Sequence, residues 1–495
     1  MTIARRDGAD PLCNGGAAGR HASLAGMADF LPERRHETLG PAFFDPVAPA
    51  RFPQAILRHA DRRWAERIGL GHLTGDQWLA HFGRFEPLAG SLPEPLALRY
   101  HGHQFQAYNP DLGDGRGFLF AQCRDPADGR LLDFGTKGSG TTPFSRGGDG
   151  RLTLKGGLRE VLASQMLEAL GVSTSKSFAL VETGEDLVRG DEPSPTRSAV
   201  LTRLSHGHIR IGTFQRFAFL RDTENLQRLL DYCLANYYPA LAAAPDKPAA
   251  FLAAVVEKVA LLGAQWIAAG FVHGVLNTDN INITGESFDY GPWRFLPRYD
   301  PGFTAAYFDE TGLYAFGRQP DALAWNLTRL AQCLLPLSSL ETLERALNTF
   351  WPHFRAALPR QMLYRFGLEP GGGESDGAFV TALLGFLGQS PIPYEQVFFD
   401  WRGGGLSAER AARSPFAEHY AHEDFRPVAD LMQNYAPSAG VNLDHPYFSR
   451  ETPRTMLIEE VEAIWAPIAE RDDWSMVHET LDEIAQMREA HGISP

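Results

Sequence analysis

Apolar and polar positions change rhythm once along this chain. From Leu96 to Val200 the apolar residues come in short runs separated by glycines, which predicts strands joined by tight turns. One stretch breaks that pattern. Gly157 to Leu170 carries apolar residues at helical spacing and stops at Gly171, predicting a helix set among the strands. Phe178 to Val188 and Ser198 to Leu204 read as strands again. After about Thr223 helical spacing takes over. Helices are predicted over Leu226 to Tyr238, Ala250 to Ala269, Leu323 to Leu334 and Leu340 to Ala356, with two amphipathic helices between Pro453 and Met487. Ahead of the strands, Phe44 to Glu86 mixes apolar residues with Arg, Asp and Glu and predicts short helices, closed by the prolines between Pro87 and Pro95. This order predicts an α+β protein with a β-rich small lobe followed by an α-rich large lobe. The divisions are 1–40, a flexible leader; 41–95, an N-terminal helical extension; 96–222, the small lobe; and 223–495, the helical large lobe with a C-terminal extension.

Composition narrows the partners. The chain has 495 residues, 44% of them hydrophobic, enough for a two-lobed body. With 46 basic and 60 acidic residues its net charge is −14. An acidic chain is a poor general partner for nucleic acid or an anionic membrane, so neither is expected, and any anion must be held by a local cluster of Arg, Lys and backbone N–H groups. Cys13, Cys123, Cys233 and Cys333 form no CxxC pair and no zinc spacing. They suit a reducing compartment, the cytoplasm of a bacterial-type chain rather than a mitochondrial matrix, with Cys233 and Cys333 as buried thiols. No run approaches the length of a membrane span, and the first residues lack the apolar core of a secretory signal.

The chemistry gathers in two places. Gly113-Asp114-Gly115-Arg116-Gly117 precedes the strand Phe118 to Ala121, so the alternate glycines sit on a hairpin where backbone N–H groups can approach phosphates. Alone, a β-turn explains them. Lys137 then ends the strand Leu131 to Lys137, and Glu160 lies in the inserted helix. A strand lysine paired with a helix glutamate is the arrangement by which protein kinases set an ammonium on the phosphates. Asp133-Phe134-Gly135 spells a metal motif but lies in that strand ahead of the lysine, and reads as coincidence. The flexible, glycine-dense loop from Gly138 onward is too long to be a mere spacer beside such a lysine. Arg203 and Arg210 add local positive charge. His101, His103, His206 and His208 form two HxH pairs, read as hydrogen-bonding histidines.

The second place comes after the helix that ends near Gly270. Kinase loops read H-R-D-x-x-x-x-N or H-G-D-x-x-x-x-N, where the Asp accepts a proton and the Asn binds metal. Here His273-Gly274 is followed by Val275, so the kinase base is missing, yet Asn280 is retained. Asp289-Tyr290-Gly291 fits the D-F-G metal carboxylate, and Asp279 is a new carboxylate beside Asn280. A protein-kinase-like fold that binds magnesium and ATP and runs a changed reaction accounts for these spacings together.

At these residues the chain resembles the selenoprotein O family of pseudokinases. The matching text includes Leu112 to Arg116, Asp133 to Arg146, Asp149 to Arg151, and His273 to Asn280 with Asp289 to Pro292, inside a span from about Leu96 to Leu335. The resemblance implies a protein adenylyltransferase that transfers AMP from ATP to Ser, Thr or Tyr hydroxyls of acceptor proteins and releases pyrophosphate. It implies that Gly113, Gly115, Arg116, Lys137, Asp149, Gly150, Arg203, Arg210 and Asp289 hold ATP, that Glu160 orients Lys137, and that Asn280 and Asp289 bind Mg²⁺, with Mn²⁺ the alternative. Asp279 would be the proton acceptor. Some family members carry a Cys or selenocysteine near the C-terminus; this chain ends His491-Gly492-Ile493-Ser494-Pro495 without one. The competing functions are γ-phosphate transfer by a protein or small-molecule kinase, and a non-catalytic ATP-binding scaffold.

Overall fold

The structure, a computed structural model, describes residues 29–190 and 192–493. Most of the expected leader, and Cys13 with it, lies outside these residues. The described chain is a mixed α and β protein: a large antiparallel sheet, then many helices.

In chain order the first elements are β1 (Leu31–Glu33), β2 (Phe44–Pro46), β3 (Ile56–Ala60), α1 (Arg62–Arg67), α2 (Gly75–Phe82), β4 (Leu96–Leu98), β5 (Gly102–Gln104), β6 (Ala107–Asn109), β7 (Leu119–Arg124), β8 (Leu131–Lys137), β9 (Leu152–Thr153), α3 (Leu154–Ala169), β10 (Lys176–Leu187) and β11 (Thr196–Ser205). The nine-stranded sheet runs β2-β4-β7-β8-β11-β10-β3, with β1 beside β7 and β9 beside β11. The 41–95 stretch, expected to be helical, does contain α1 and α2, but it also gives β2 and β3 to the two ends of that strand path. Its Trp64, Trp78 and Phe82 join Phe120, Phe134 and Phe178 in one buried cluster on the sheet. These strands are only three to five residues long, too short for a period of two to stand out in sequence. Of the expected leader, β1 pairs with β7 and His36 and Leu39 are buried.

Helix α3 crosses the sheet where the sequence places it. Thr153 caps it by accepting from the Gly156 N–H at 3.1 Å. Its far end is tied by Glu168, which accepts from Trp64 Nε1 at 3.0 Å and pairs with Lys176 at 3.0 Å, Arg63, and Arg488 of the last helix at 3.6 Å. Burial pushes the Glu168 carboxyl up, but Lys176 and Arg63 outweigh it and hold the pKa down at about 2. A carboxyl depressed on folding adds stability above its unfolded pKa of 4.5 that is lost as pH falls toward 2. Glu168→Gln should therefore unfold more easily by about 3 kcal/mol at pH 7, with the gap closing between about pH 4.5 and 2, read by denaturant titration.

The helical part begins with α4 (Ile211–Leu220), α5 (Thr223–Asn236), α6 (Lys247–Ala268), α7 (Gln319–Leu334), α8 (Leu340–Leu347) and α9 (Phe350–Phe366). Two expectations change here. The helix expected over Leu340 to Ala356 is two, because α8 ends at Leu347 and α9 restarts at Phe350, with Pro352 in its first turn where no N–H is needed. And α6 is, by length and composition alone, long and apolar enough to cross a membrane, contrary to the expectation that no run approaches that. Its apolar length is used inside the fold: Val255, Val256, Val259 and Ala260 are fully buried in the main core. The two C-terminal helices, Ile458–Arg471 and Ser475–Ala490, fold back to the sheet. Asp472 between them pairs with Arg58 at 3.0 Å and Arg197 at 2.7 Å. Cys123, Cys233 and Cys333 are free, buried thiols.

Candidate active site

A cleft of about 600 Å³ opens between the sheet and the segments that come after α6. Its rim is the glycine stretch. Gly113 bridges back to Arg99 beyond β4, and β5 and β6 form a separate hairpin inserted before it, so the glycines lie on a longer excursion than a simple two-strand turn. The loop from Gly138 to Arg151 lies against them. Thr142 Oγ1 donates to the Asp114 carbonyl at 2.5 Å, Ser145 Oγ to the Gly115 carbonyl at 2.6 Å, and Gly138 N to the Arg116 carbonyl at 2.6 Å. Phe144 packs so closely that a Cβ on Gly113 would meet its ring at 2.4 Å. Expected to be flexible, this loop is in fact bound to the glycine stretch. Gly150 closes it with φ +68°, where a Cβ would lie 2.2 Å from the Gly140 carbonyl.

The back wall carries the ion pairs. Lys137 at the end of β8 is buried and donates to Glu160 Oε1 at 2.5 Å and to Asp289 Oδ1 at 2.6 Å. Arg203 on β11 donates to the same Asp289 oxygen at 3.2 Å and stands 3.9 Å from Glu160. Burial raises the Asp289 pKa, but Lys137 and Arg203 dominate and keep it well below the usual carboxylate range, so it is an anion. Asp289 sits at φ +62°, which Asp tolerates better than most residues. Arg210, just ahead of α4, lies over Tyr100 at 4.1 Å and Phe288 at 5.2 Å, pairs with Asp114 at 3.7 Å and donates to the Asp279 carbonyl at 3.3 Å. Flat rings under a guanidinium hold it in place without neutralising it.

The third wall is the loop after α6. Gly274, at φ +82°, is pressed on the Pro292 carbonyl, where a Cβ would come within 1.9 Å. His273 ties its Nε2 to the Phe288 carbonyl at 3.0 Å, joining this loop to the Asp289 segment. Asn277 Oδ1 accepts from Phe105 N at 3.0 Å and from the Tyr314 hydroxyl at 2.9 Å, and Thr278 Oγ1 accepts from His103 N at 2.7 Å while donating to Gln215 at 2.6 Å. Held this way, Asp279 is 9% exposed, and its Oδ1 is buried without a hydrogen-bond partner. Burial pushes its pKa up to about 6, against the pull of Arg210.

The structure thus lines one cleft with Gly113, Gly115, Arg116, Lys137, Asp149, Gly150, Arg203, Arg210, Asp279 and Asp289. Glu160 and Asn280 are not part of that lining: Glu160 grips Lys137, and Asn280 turns its amide nitrogen onto the Val275 carbonyl at 3.0 Å, which leaves its oxygen unused there. Asp149 is bound by Arg189 at 2.8 Å. Asp133, the strand decoy, is fully buried under Gln122 and away from the cleft lining. Sequence reasoning assigned no role to Tyr100, Gln104, Asp114, Arg146 or Arg189, which also line the cleft. Asp114 and Arg146 lie within motifs that were legible, whereas Tyr100 and Arg189 carry no signal of their own. Seven cationic side chains face four acidic ones here, in a chain whose net charge is −14. Such a site suits a polyanion.

Comparison with known proteins bears on the chain as a whole. The family model described as protein adenylyltransferase SelO matches residues 28–485. A protein named protein nucleotidyltransferase YdiU from Gloeobacter violaceus is 45% identical over 470 residues, covering 92% of this chain and 95% of that protein. A protein of the same name from Synechococcus elongatus is 43% identical, covering 90% and 93%. One from Cereibacter sphaeroides is 43% identical over 350 residues, covering 68% and 70%. The match spans the sheet, the cleft and the helices alike, and the chain therefore belongs to the SelO family of protein adenylyltransferases, nucleotidyltransferases that use ATP and act on proteins.

Proposed function

We propose that the chain is a protein-kinase-like, two-lobed enzyme in which Asp279 takes the proton of an acceptor Ser, Thr or Tyr hydroxyl. In this reading the hydroxyl oxygen attacks the α-phosphorus of ATP. The new O–P bond forms as the bond from that phosphorus to the α,β-bridging oxygen breaks, and pyrophosphate leaves with the electron pair. The observation that carries it is the side chain of Asp279 on the cleft wall, whose neighbour Arg210 bonds the backbone carbonyl and not the carboxylate, in a loop whose kinase base position holds Val275. A carboxylate that lines the cleft and is not held by a cation can receive a proton from a bound hydroxyl.

The small lobe would be 96–222, with β2 and β3 from 41–95 built onto its sheet, and the large lobe 223–495. Arg116, Lys137, Arg203 and Arg210, with the N–H groups of Gly113, Gly115 and Gly150, would hold the phosphates. Asp149 would brace that loop through Arg189, and Glu160 would keep Lys137 aimed. The donor set also fits a divalent cation. Asp289 spends Oδ1 on Lys137 and Arg203, which leaves Oδ2 for a hard ion, and Asn280 has its oxygen turned from the Val275 carbonyl. Mg²⁺ or Mn²⁺ held there would supply positive charge to the phosphates.

Parallel reactions with ATP labelled on the α or the γ phosphate test the reading. Label from α-labelled ATP on the acceptor, with an intact-mass gain of AMP, is expected. Label transferred only from the γ position would replace it with the kinase reading.

A further inference from the structure

Beside the cleft mouth three aromatic rings stand in solvent. Phe105 is 38% exposed, Phe308 46% and Tyr307 86%. They touch in sequence: Phe105 to Phe308 at 5.8 Å between centroids and Phe308 to Tyr307 at 5.1 Å. Apolar rings grouped at the surface leave apolar area in water, and such patches mark contact with another molecule.

The backbone holds one of these rings in place against its own preference. Phe105 and Gln106 form the turn between β5 and β6 with φ of +48° and +64°. Two-residue hairpins reserve that geometry for Gly or Asn, so a phenylalanine there is disfavoured unless the ring has a use. The turn is also fastened to the loop that bears Asp279. Phe105 N and the Tyr314 hydroxyl both donate to Asn277 Oδ1, and the Phe105 ring packs on Tyr314 at 5.0 Å. On the same hairpin Gly102 lies against Asp279, where a Cβ would sit 3.0 Å from Oδ1, and Gln104 lines the cleft. From Gly102 to Phe105 is three extended residues, about 10 Å.

We propose that Phe105, Tyr307 and Phe308 dock the acceptor protein, gripping an apolar side chain, aromatic or leucine-like, about three residues from the hydroxyl that receives AMP. The occupant is an extended polypeptide for two reasons. The family acts on proteins, and the patch continues the cleft wall at a spacing that an extended chain spans. The proposal rests on the reading of Asp279 as the site of the acceptor hydroxyl.

A positional-scanning peptide library with one central Ser, Thr or Tyr, reacted with α-labelled ATP, tests it. The wild type should select an apolar residue about three positions from the hydroxyl. Tyr307→Ala with Phe308→Ser should erase that selection and raise the peptide KM by roughly tenfold, with the ATP KM and the melting temperature unchanged. Tyr307→Phe should keep both the selection and the KM. A wild type that labels peptides with no apolar preference, or a double variant with unchanged peptide KM, overturns the docking surface while leaving AMP transfer intact. A wild type that labels no peptide from the α position overturns the underlying reading together with this one. A dimer broken by the same variants, with selection unchanged, would assign the rings to a second copy of the chain instead.

Discussion

Asp279→Asn is expected to slow AMP transfer by about a thousandfold while ATP affinity changes by less than about threefold. The substitution keeps the side-chain shape and removes only the proton-accepting charge. It also relieves a cost. Asp279 is buried, its Oδ1 has no partner, and burial raises its pKa to about 6. A neutral amide avoids the desolvation of a carboxylate, so the variant should melt no lower than the wild type, and a higher melting temperature would fit. Single-turnover labelling from α-labelled ATP, ATP binding by calorimetry and a thermal melt read the three quantities. Transfer that survives at the wild-type rate would remove Asp279 from the chemistry. A drop in rate accompanied by an equal drop in ATP affinity would make it a nucleotide-binding residue.

Asp289→Asn should show the opposite balance between activity and stability. Asp289 Oδ1 receives both Lys137 and Arg203, and neutralising it leaves those cations to share Glu160. Its side chain is 26% exposed, so solvent screens part of the loss, and about 2 kcal/mol of stability is a fair expectation. The sign with pH comes from the depressed pKa of Asp289. Its contribution is present above the ordinary carboxylate value and fades as pH falls below it, so the gap between wild type and variant should narrow only in acid. Activity should fall by at least a thousandfold, because the same carboxylate is the proposed metal ligand and the anchor of two phosphate-binding cations. Asn accepts the φ of +62° at this position, so backbone strain does not confuse the result. Denaturant titration at pH 7 and at about pH 3, with the same labelling assay, reads both effects. An active variant with wild-type stability would contradict the geometry of this wall.

The cleft was legible to the extent that its parts are local. The glycine stretch at Gly113, the strand ending in Lys137, the helix bearing Glu160 and the loop from His273 to Asn280 each announce themselves over a few residues, because each needs a particular backbone pattern within that span. What joins them is not local. Lys137 meets Asp289 across 152 positions, and Arg488 reaches Gln165 across 323. Pairings of that kind are set by how the sheet and helices pack, so Arg189 behind Asp149 and Tyr100 under Arg210 could not be found from spacing. Short strands failed for a related reason: β2 and β3 are held by their neighbours in the sheet rather than by their own pattern.

By itself, then, the sequence determined that a strand-rich part with one inserted helix precedes a helical part, the loss of a kinase base at Val275, the carboxylate at Asp279 and the resemblance that led to AMP transfer. Those features depend on residue identity along a continuous stretch. Only the tertiary structure decided that Asp279 is a buried carboxylate lining the cleft, that the loop after Gly138 is bound to the glycine stretch, that β1 and the two C-terminal helices brace the sheet and α3, and that three aromatic rings border the cleft. Burial, ion pairing and exposure are properties of surfaces brought together in space, and no spacing along the chain encodes them.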